Sequence, residues 1–226
     1  MALGRLLFSK KLPRLNSIIV LIFVAVLIGI CVTIGFDPTI IAPALLALGF
    51  VALAAWSLSY RAEVYEEGAK TSSIFGSREV RFADLKSFGY SRAIINGQPQ
   101  DTIIFYPRQG KRVRIVSQPK FRSGGDADLA GVAARLTAIF ASSMEQELLG
   151  SGRVAWMPQV SLLRDCYVLK NERRLLFGEV QPKMAGGFFS LIRRDNGKSE
   201  LRCRCGEENF YPGWALAQKL GAIPPA

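Results

Sequence analysis

Arg78-Glu79-Val80-Arg81-Phe82-Ala83-Asp84-Leu85 returns 95 residues later as Arg173-Arg174-Leu175-Leu176-Phe177-Gly178-Glu179-Val180. Each octad runs from charge, through short apolar alternation, to an aromatic residue, a small one, an acidic one and an apolar one. Further along, Gly110-Lys111 is matched by Gly197-Lys198 at an offset of 87. Residue identity is low, but order and type agree, and each half closes on a helical pattern. The reading is a unit used twice, because the same order of segment types recurring along a chain signals a repeated architecture.

Working outward from the first octad, short alternating segments predict strands at Ala62–Tyr65, Ala69–Phe75, Arg78–Phe82, Lys86–Ser91, Asp101–Tyr106 and Lys111–Ser117. Their turns are Glu66-Glu67-Gly68, Phe75-Gly76-Ser77, Asn96-Gly97 and Pro107-Arg108-Gln109-Gly110, each rich in residues that accept turn conformations. In the last strand Val113, Ile115 and Ser117 share one face, and Arg112, Arg114 and Val116 the other, as in a half-buried strand. A helix follows over 126–149. Leu129, Val132, Leu136, Ile139, Phe140 and Met144 make its apolar face, Asp126 and Asp128 suit its start, and Gly150 and Gly152 end it. Around the second octad the predicted strands are Cys166–Leu169, Arg173–Phe177, Phe188–Arg193 and Ser199–Cys205. The closing helix is Tyr211–Leu220, with Pro212 in its first turn and Gly221 after it.

Ahead of all this stand two apolar runs. Leu15–Phe36 reads LNSIIVLIFVAVLIGICVTIGF, and Ile40–Leu58 is also free of charge. Roughly 20 helical residues cross a hydrocarbon core, so the runs predict a transmembrane hairpin (about 15–36 and 39–59) turning at Gly35-Phe36-Asp37-Pro38. Arg5, Lys10, Lys11 and Arg14 precede it and Arg61 and Lys70 follow it, while the turn carries only Asp37; the excess of positive charge then puts both chain ends in the cytoplasm. Trp56 and Tyr60 suit an interfacial belt on that side. Ala44, Ala47, Val51, Ala54 and Leu58 form a stripe on the second run that either lets the helices approach closely or faces lipid. A cleaved signal peptide ending at Ala42-Pro43-Ala44 is the alternative. The organisation expected is a basic N-terminus (1–14), the hairpin (15–60) and two β units (61–150 and 151–226).

The chain of 226 residues has 29 Lys and Arg against 18 Asp and Glu, a net charge of +11. Such a balance favours anionic surfaces, against the plainer reading of a solvated face. The sequence holds no histidine. That removes the commonest general base and the Ser-His and Cys-His nucleophile pairs. Cys31, Cys166, Cys203 and Cys205 form no secreted disulfide framework, and reduced thiols are the simplest account. Arg202-Cys203-Arg204-Cys205 alternates, so both thiols share one strand face and pack in the sheet. Gly124-Gly125 and Gly186-Gly187 are loop breakers and not a phosphate cradle. Glu145 and Glu147, two apart on a helix, do not face each other. Phe188, Phe189 and Trp214 are core candidates, which leaves nucleic-acid binding with charge alone in its favour.

Glu63-Val64-Tyr65-Glu66-Glu67-Gly68 and Phe82-Ala83-Asp84-Leu85, set between strands that end in a helix, resemble bacterial pleckstrin-homology-like (PH-like) membrane proteins. Many of these carry two transmembrane helices just before the domain, and they often have Trp or Tyr where Phe82 stands. The resemblance implies a membrane-anchored α+β protein of the bacterial inner membrane, with a small curved antiparallel sheet capped by a helix. It implies no catalytic activity and no cofactor. The function expected is binding of a protein or a membrane surface, with an assembly subunit of a larger membrane complex as the alternative and a membrane-bound enzyme a distant third. The partners expected are the bilayer itself, anionic headgroups, a protein and a second copy of the chain. The candidate contacts with an anionic surface are Arg108, Lys111, Arg112, Arg114, Lys120 and Arg122, a stretch with no acidic residue between Asp101 and Asp126. Its alternative reading is a solvated hairpin edge.

Overall fold

The computed structural model describes residues 3–11, 14–34, 41–117 and 127–224. Contacts divide the chain into two units, Met1–Phe82 and Ala83–Ala226. In the first unit, strand β1 (Leu6–Lys11) comes before the apolar runs, which form helices α1 (Arg14–Ile34) and α2 (Ile41–Ser59). Strands β2 (Arg61–Tyr65), β3 (Gly68–Ser73) and β4 (Gly76–Arg81) follow. They form an antiparallel sheet in the order β1-β2-β3-β4, so β1 pairs with β2 across the inserted helices. Period-two alternation puts Ala62, Val64, Ala69 and Val80 on the buried face, together with Phe8. Gly68 is held to its residue type by space, since a Cβ there would lie 2.5 Å from the Val80 carbonyl oxygen.

The two helices lie side by side, with the Phe23 and Phe50 rings edge-to-face at 5.7 Å. Val24, Ala47 and Ala54 are buried between them, so part of the small stripe does allow close approach, while Val51 and Leu58 of the same stripe are exposed. The side chains of Cys31 and Ala44, and the turn at 35–38, lie outside the described residues.

Among the described residues no helix is long and apolar enough to cross a membrane. The expected membrane-anchored α+β class, the transmembrane hairpin and the inner-membrane location with cytoplasmic termini are corrected accordingly. Among the described residues the chain has four sheets and four α-helices.

The second unit continues with β5 (Leu85–Ile95), β6 (Gln98–Pro107) and β7 (Val113–Ser117), paired in that order, and helix α3 (Ala127–Ser151). Next come β8 (Val154–Met157), β9 (Val160–Leu162), β10 (Cys166–Leu169) and β11 (Arg174–Leu176), a four-stranded antiparallel meander. Strands β12 (Val180–Ala185), β13 (Phe188–Arg193) and β14 (Ser199–Arg204) form a three-stranded sheet, and helix α4 (Phe210–Lys219) closes the chain. The order of four strands, a 3₁₀ turn, three strands and a helix therefore occurs twice. The 95-residue offset places the 3₁₀ turn Phe82–Asp84 on the 3₁₀ turn Phe177–Glu179.

Asn96 and Gly97 both take positive φ, 52° and 73°, which is why this dipeptide can reverse the chain between β5 and β6. Helix α3 buries Leu129, Val132, Leu136, Met144 and Leu148. Ile139, expected on that face, is 51% exposed, because the buried stripe passes from Leu136 to Met144 without it. The core of the second half gathers Trp156, Tyr167, Leu175, Phe189 and Phe210 around α4. Inside this unit, β5 meets the segment between β14 and α4. The Asn209 N–H donates to the Phe88 carbonyl at 2.8 Å, and the Ser87 hydroxyl to Glu208 Oε1 at 2.5 Å. A Cβ on Gly89 would lie 2.9 Å from the Gly206 carbonyl oxygen, so that seam admits only glycine without movement.

Candidate functional site

The β6–β7 hairpin positions the basic residues singled out by sequence. Its ladder pairs Ile103 with Ile115 and Phe105 with Val113. Val113, Ile115 and Ser117 point inward and are buried, and the alternation turns Arg112 and Arg114 to solvent. The Arg108 N–H donates to the Asp84 carbonyl at 2.9 Å, which fixes where the turn leaves the sheet. Gly110 completes the turn at φ 92°, a conformation glycine takes at little cost.

Arg108, Lys111, Arg112 and Arg114 are all exposed. Among the described residues none of the four is paired with a carboxylate. Lys120 and Arg122 lie outside the described residues. The structure thus brings together four of the six expected cations on one hairpin and its edge strand.

The acidic residue nearest in the ladder is turned away from them. Asp101 on β6 is fully buried; it accepts from Arg92 Nε at 2.7 Å and from the Tyr90 hydroxyl at 3.1 Å. Burial, with the Asp101 charge adding to it, pushes the Tyr90 phenol up to about 12, so it stays a donor across the physiological range. The Tyr211 ring of α4 lies 5.7 Å from that of Tyr90, and burial raises its phenol as well. This cluster ties β5 and β6 to α4 and engages Asp101 away from the hairpin's cations.

The thiols have no such exposure. Cys203 on β14 and Cys205 just past its end are buried, while Arg202 and Arg204 are exposed. Burial pushes the Cys203 thiol up to about 12 and the Cys205 thiol to about 11, so neither is a thiolate at neutral pH. Cys203 Sγ lies 3.5 Å from Met157 Sδ, a contact of packing. Among the described residues no three His, Cys, Asp or Glu side chains converge to hold a metal ion.

A hollow of about 320 Å³ in the second repeat is lined by Gln159, Leu169, Lys170 and Glu200. Its carboxylate is already held by Arg173 through two hydrogen bonds of 2.9 Å, with Arg193 Nε at 3.3 Å. Such a bidentate pair fixes geometry and leaves no free base. Sequence reasoning missed a second basic place. Lys11 and Arg61, read as charges flanking a membrane helix, stand directly opposite each other on β1 and β2. The pairing joins residues separated by both helices, and Leu6–Lys11 shows little strand alternation of its own.

Compared with known proteins, the chain matches no family model and no curated sequence.

Proposed function

We propose that this protein is a non-catalytic binding module that docks on an anionic lipid surface through the β6–β7 hairpin. One observation carries the reading: Arg108, Lys111, Arg112 and Arg114 are exposed together and, among the described residues, without a carboxylate partner. Each Lys or Arg held near an anionic leaflet contributes about 1 kcal/mol. The PH-like family is part of the proposal, supported by the repeated order of four strands, a 3₁₀ turn, three strands and a helix. The histidine-free composition and the internally paired carboxylates favour binding over catalysis.

Co-sedimentation of the full chain with neutral and with anionic liposomes tests this. Binding is expected to rise with anionic lipid and fall with salt. Arg112→Ala with Arg114→Ala is expected to weaken the anionic component by roughly 30-fold, the equivalent of about 2 kcal/mol. Equal binding to neutral and anionic liposomes at low salt would sink the proposal.

A second reading, an assembly subunit, is favoured by the outer surface of α1 and α2. Ile18, Ile22, Phe23, Leu45, Leu48 and Leu53 are among the large apolar side chains exposed there. Large exposed apolar side chains on both helices suit an interaction site, and on this reading the occupant is a partner protein with apolar helices of its own. Purification in mild detergent is expected to bring that partner through size exclusion with the chain. Consistent elution of the chain alone would remove this reading.

A further inference from the structure

The first unit carries a row of side chains across its sheet. Lys11, Arg61, Ser72 and Ser77 are successive cross-strand partners on β1, β2, β3 and β4. Partners in a ladder point to the same face. Because Ala62 and Val64 point to the buried face, Arg61 and its partners point to the other. Like charges directly opposite each other destabilise a ladder, yet Lys11 and Arg61 are placed in that way. Both are exposed, and among the described residues neither pairs with a carboxylate. The nearest acid on the same face, Glu63, accepts from the Tyr65 hydroxyl at 3.0 Å and stands opposite Lys70.

Arg61 also lines a hollow of about 370 Å³, with Ser59, Ser72, Ser73, Leu58 and Ile74. The Ser59 hydroxyl donates to the Trp56 carbonyl and accepts from the Ile74 N–H, both at 2.9 Å, so it shapes the wall. The Arg61 guanidinium and the hydroxyl of Ser72 beside it are the groups that recognise a tetrahedral oxyanion: a charged fork and a neutral donor. Leu58 and Ile74 are 47% and 54% exposed and give the hollow an apolar flank.

We propose that this hollow binds a phosphate group, with Arg61 as its principal ligand, Ser72 as a second donor and Lys11 as a supporting charge. An anion held by Arg61 also offsets the repulsion between Arg61 and Lys11 on the neighbouring strand. The site is separate from the β6–β7 hairpin and does not depend on it. The apolar flank admits a phosphate carried on an acyl chain, and the cation and hydroxyl alone suffice for a free phosphate.

Titration calorimetry on the full chain uses two probes, inorganic phosphate and dihexanoyl phosphatidic acid below its micelle concentration. Saturable binding by either probe, weakened at least tenfold by Arg61→Gln and partly kept by Arg61→Lys, is the expected result. Saturation by phosphate itself identifies a free anion as the source, and saturation by the lipid alone identifies a headgroup. Arg112→Ala with Arg114→Ala is expected to leave this binding unchanged, which separates the site from the hairpin. Ser72→Ala, with an unaltered melting curve and a loss of at least threefold, guards against a folding defect in the Arg61 variants. No saturable binding of either probe, or equal binding by wild type and Arg61→Gln, overturns the proposal.

Discussion

Trp156→Ala is expected to lower the unfolding free energy of the protein by about 4 kcal/mol, the range for removing a large aromatic from a packed core. The indole is 1% exposed and lies among Phe189, Phe210 and Tyr167, with ring centroids at 5.1, 6.1 and 6.2 Å. Its Nε1–H donates to the Phe210 carbonyl at 2.9 Å, at the first residue of α4. Gly213, one turn on, sits against the ring so closely that a Cβ there would fall 1.9 Å from Trp156 Cδ1. Gly213→Ala must therefore push α4 off the indole and is expected to cost about 3 kcal/mol, at the upper end for overpacking. Because both changes act through one contact, the double variant should cost less than the sum. Urea unfolding followed by circular dichroism measures all three. A Trp156→Ala midpoint indistinguishable from wild type would show that the ring does not hold α4 to β8.

Asp101→Leu is expected to cost about 3 kcal/mol, and Arg92→Met with Asp101→Leu much less. The carboxylate is fully buried and Arg92 is 44% exposed across a 2.7 Å pair. Removing one member of a buried pair leaves the other's desolvation uncompensated, whereas replacing both by apolar groups is often close to neutral. The figure lies at the low end of the range for broken buried pairs because Arg92 keeps partial access to water. The Tyr90 hydroxyl, which also donates to Asp101, loses an acceptor in either variant and adds about 1 kcal/mol to both. The same unfolding experiment decides: a double variant as unstable as the single one would mean that the pair itself, and not its desolvation, supplies the stability.

Much of the second unit could be read from short-range signals. Asn96-Gly97 announces a turn because both residues tolerate positive φ. Val113, Ile115 and Ser117 announce a buried face because strand periodicity is two. The helix that ends at Lys219 carries its stop in Gly221, at φ 73°. What stayed hidden depended on partners distant in sequence. Leu6–Lys11 reads as a basic flank, and only its ladder with Arg61–Tyr65 makes it a strand. Val180–Ala185 contains Pro182, which argues against a strand except at a sheet edge, and β12 is an edge. Ile139 fits the helical period, yet period alone does not say how wide a stripe the sheet covers. The apolar runs specify helix without specifying what covers them, which is where the transmembrane expectation exceeded its support. At the candidate site, exposure of Arg112 and Arg114 follows from alternation, while the meeting of Lys11 with Arg61 has no local trace.

The position of α1 and α2 between two paired strands has a further consequence, visible beside the second repeat. There the corresponding strands, β8 and β9, are joined by Pro158 and Gln159 alone. In the first repeat the same junction holds residues 12–60, and the ladder still forms. Lengthening a connection about 25-fold adds about 3 kcal/mol of closure entropy for a flexible chain, and two packed helices whose ends return together recover much of it. The helix pair is thus a guest in a hairpin turn. Its host fixes its footprint, with entry and exit held about one strand spacing apart, about 4.8 Å. An insertion of this kind can change sequence or length without altering the register of the sheet that carries it.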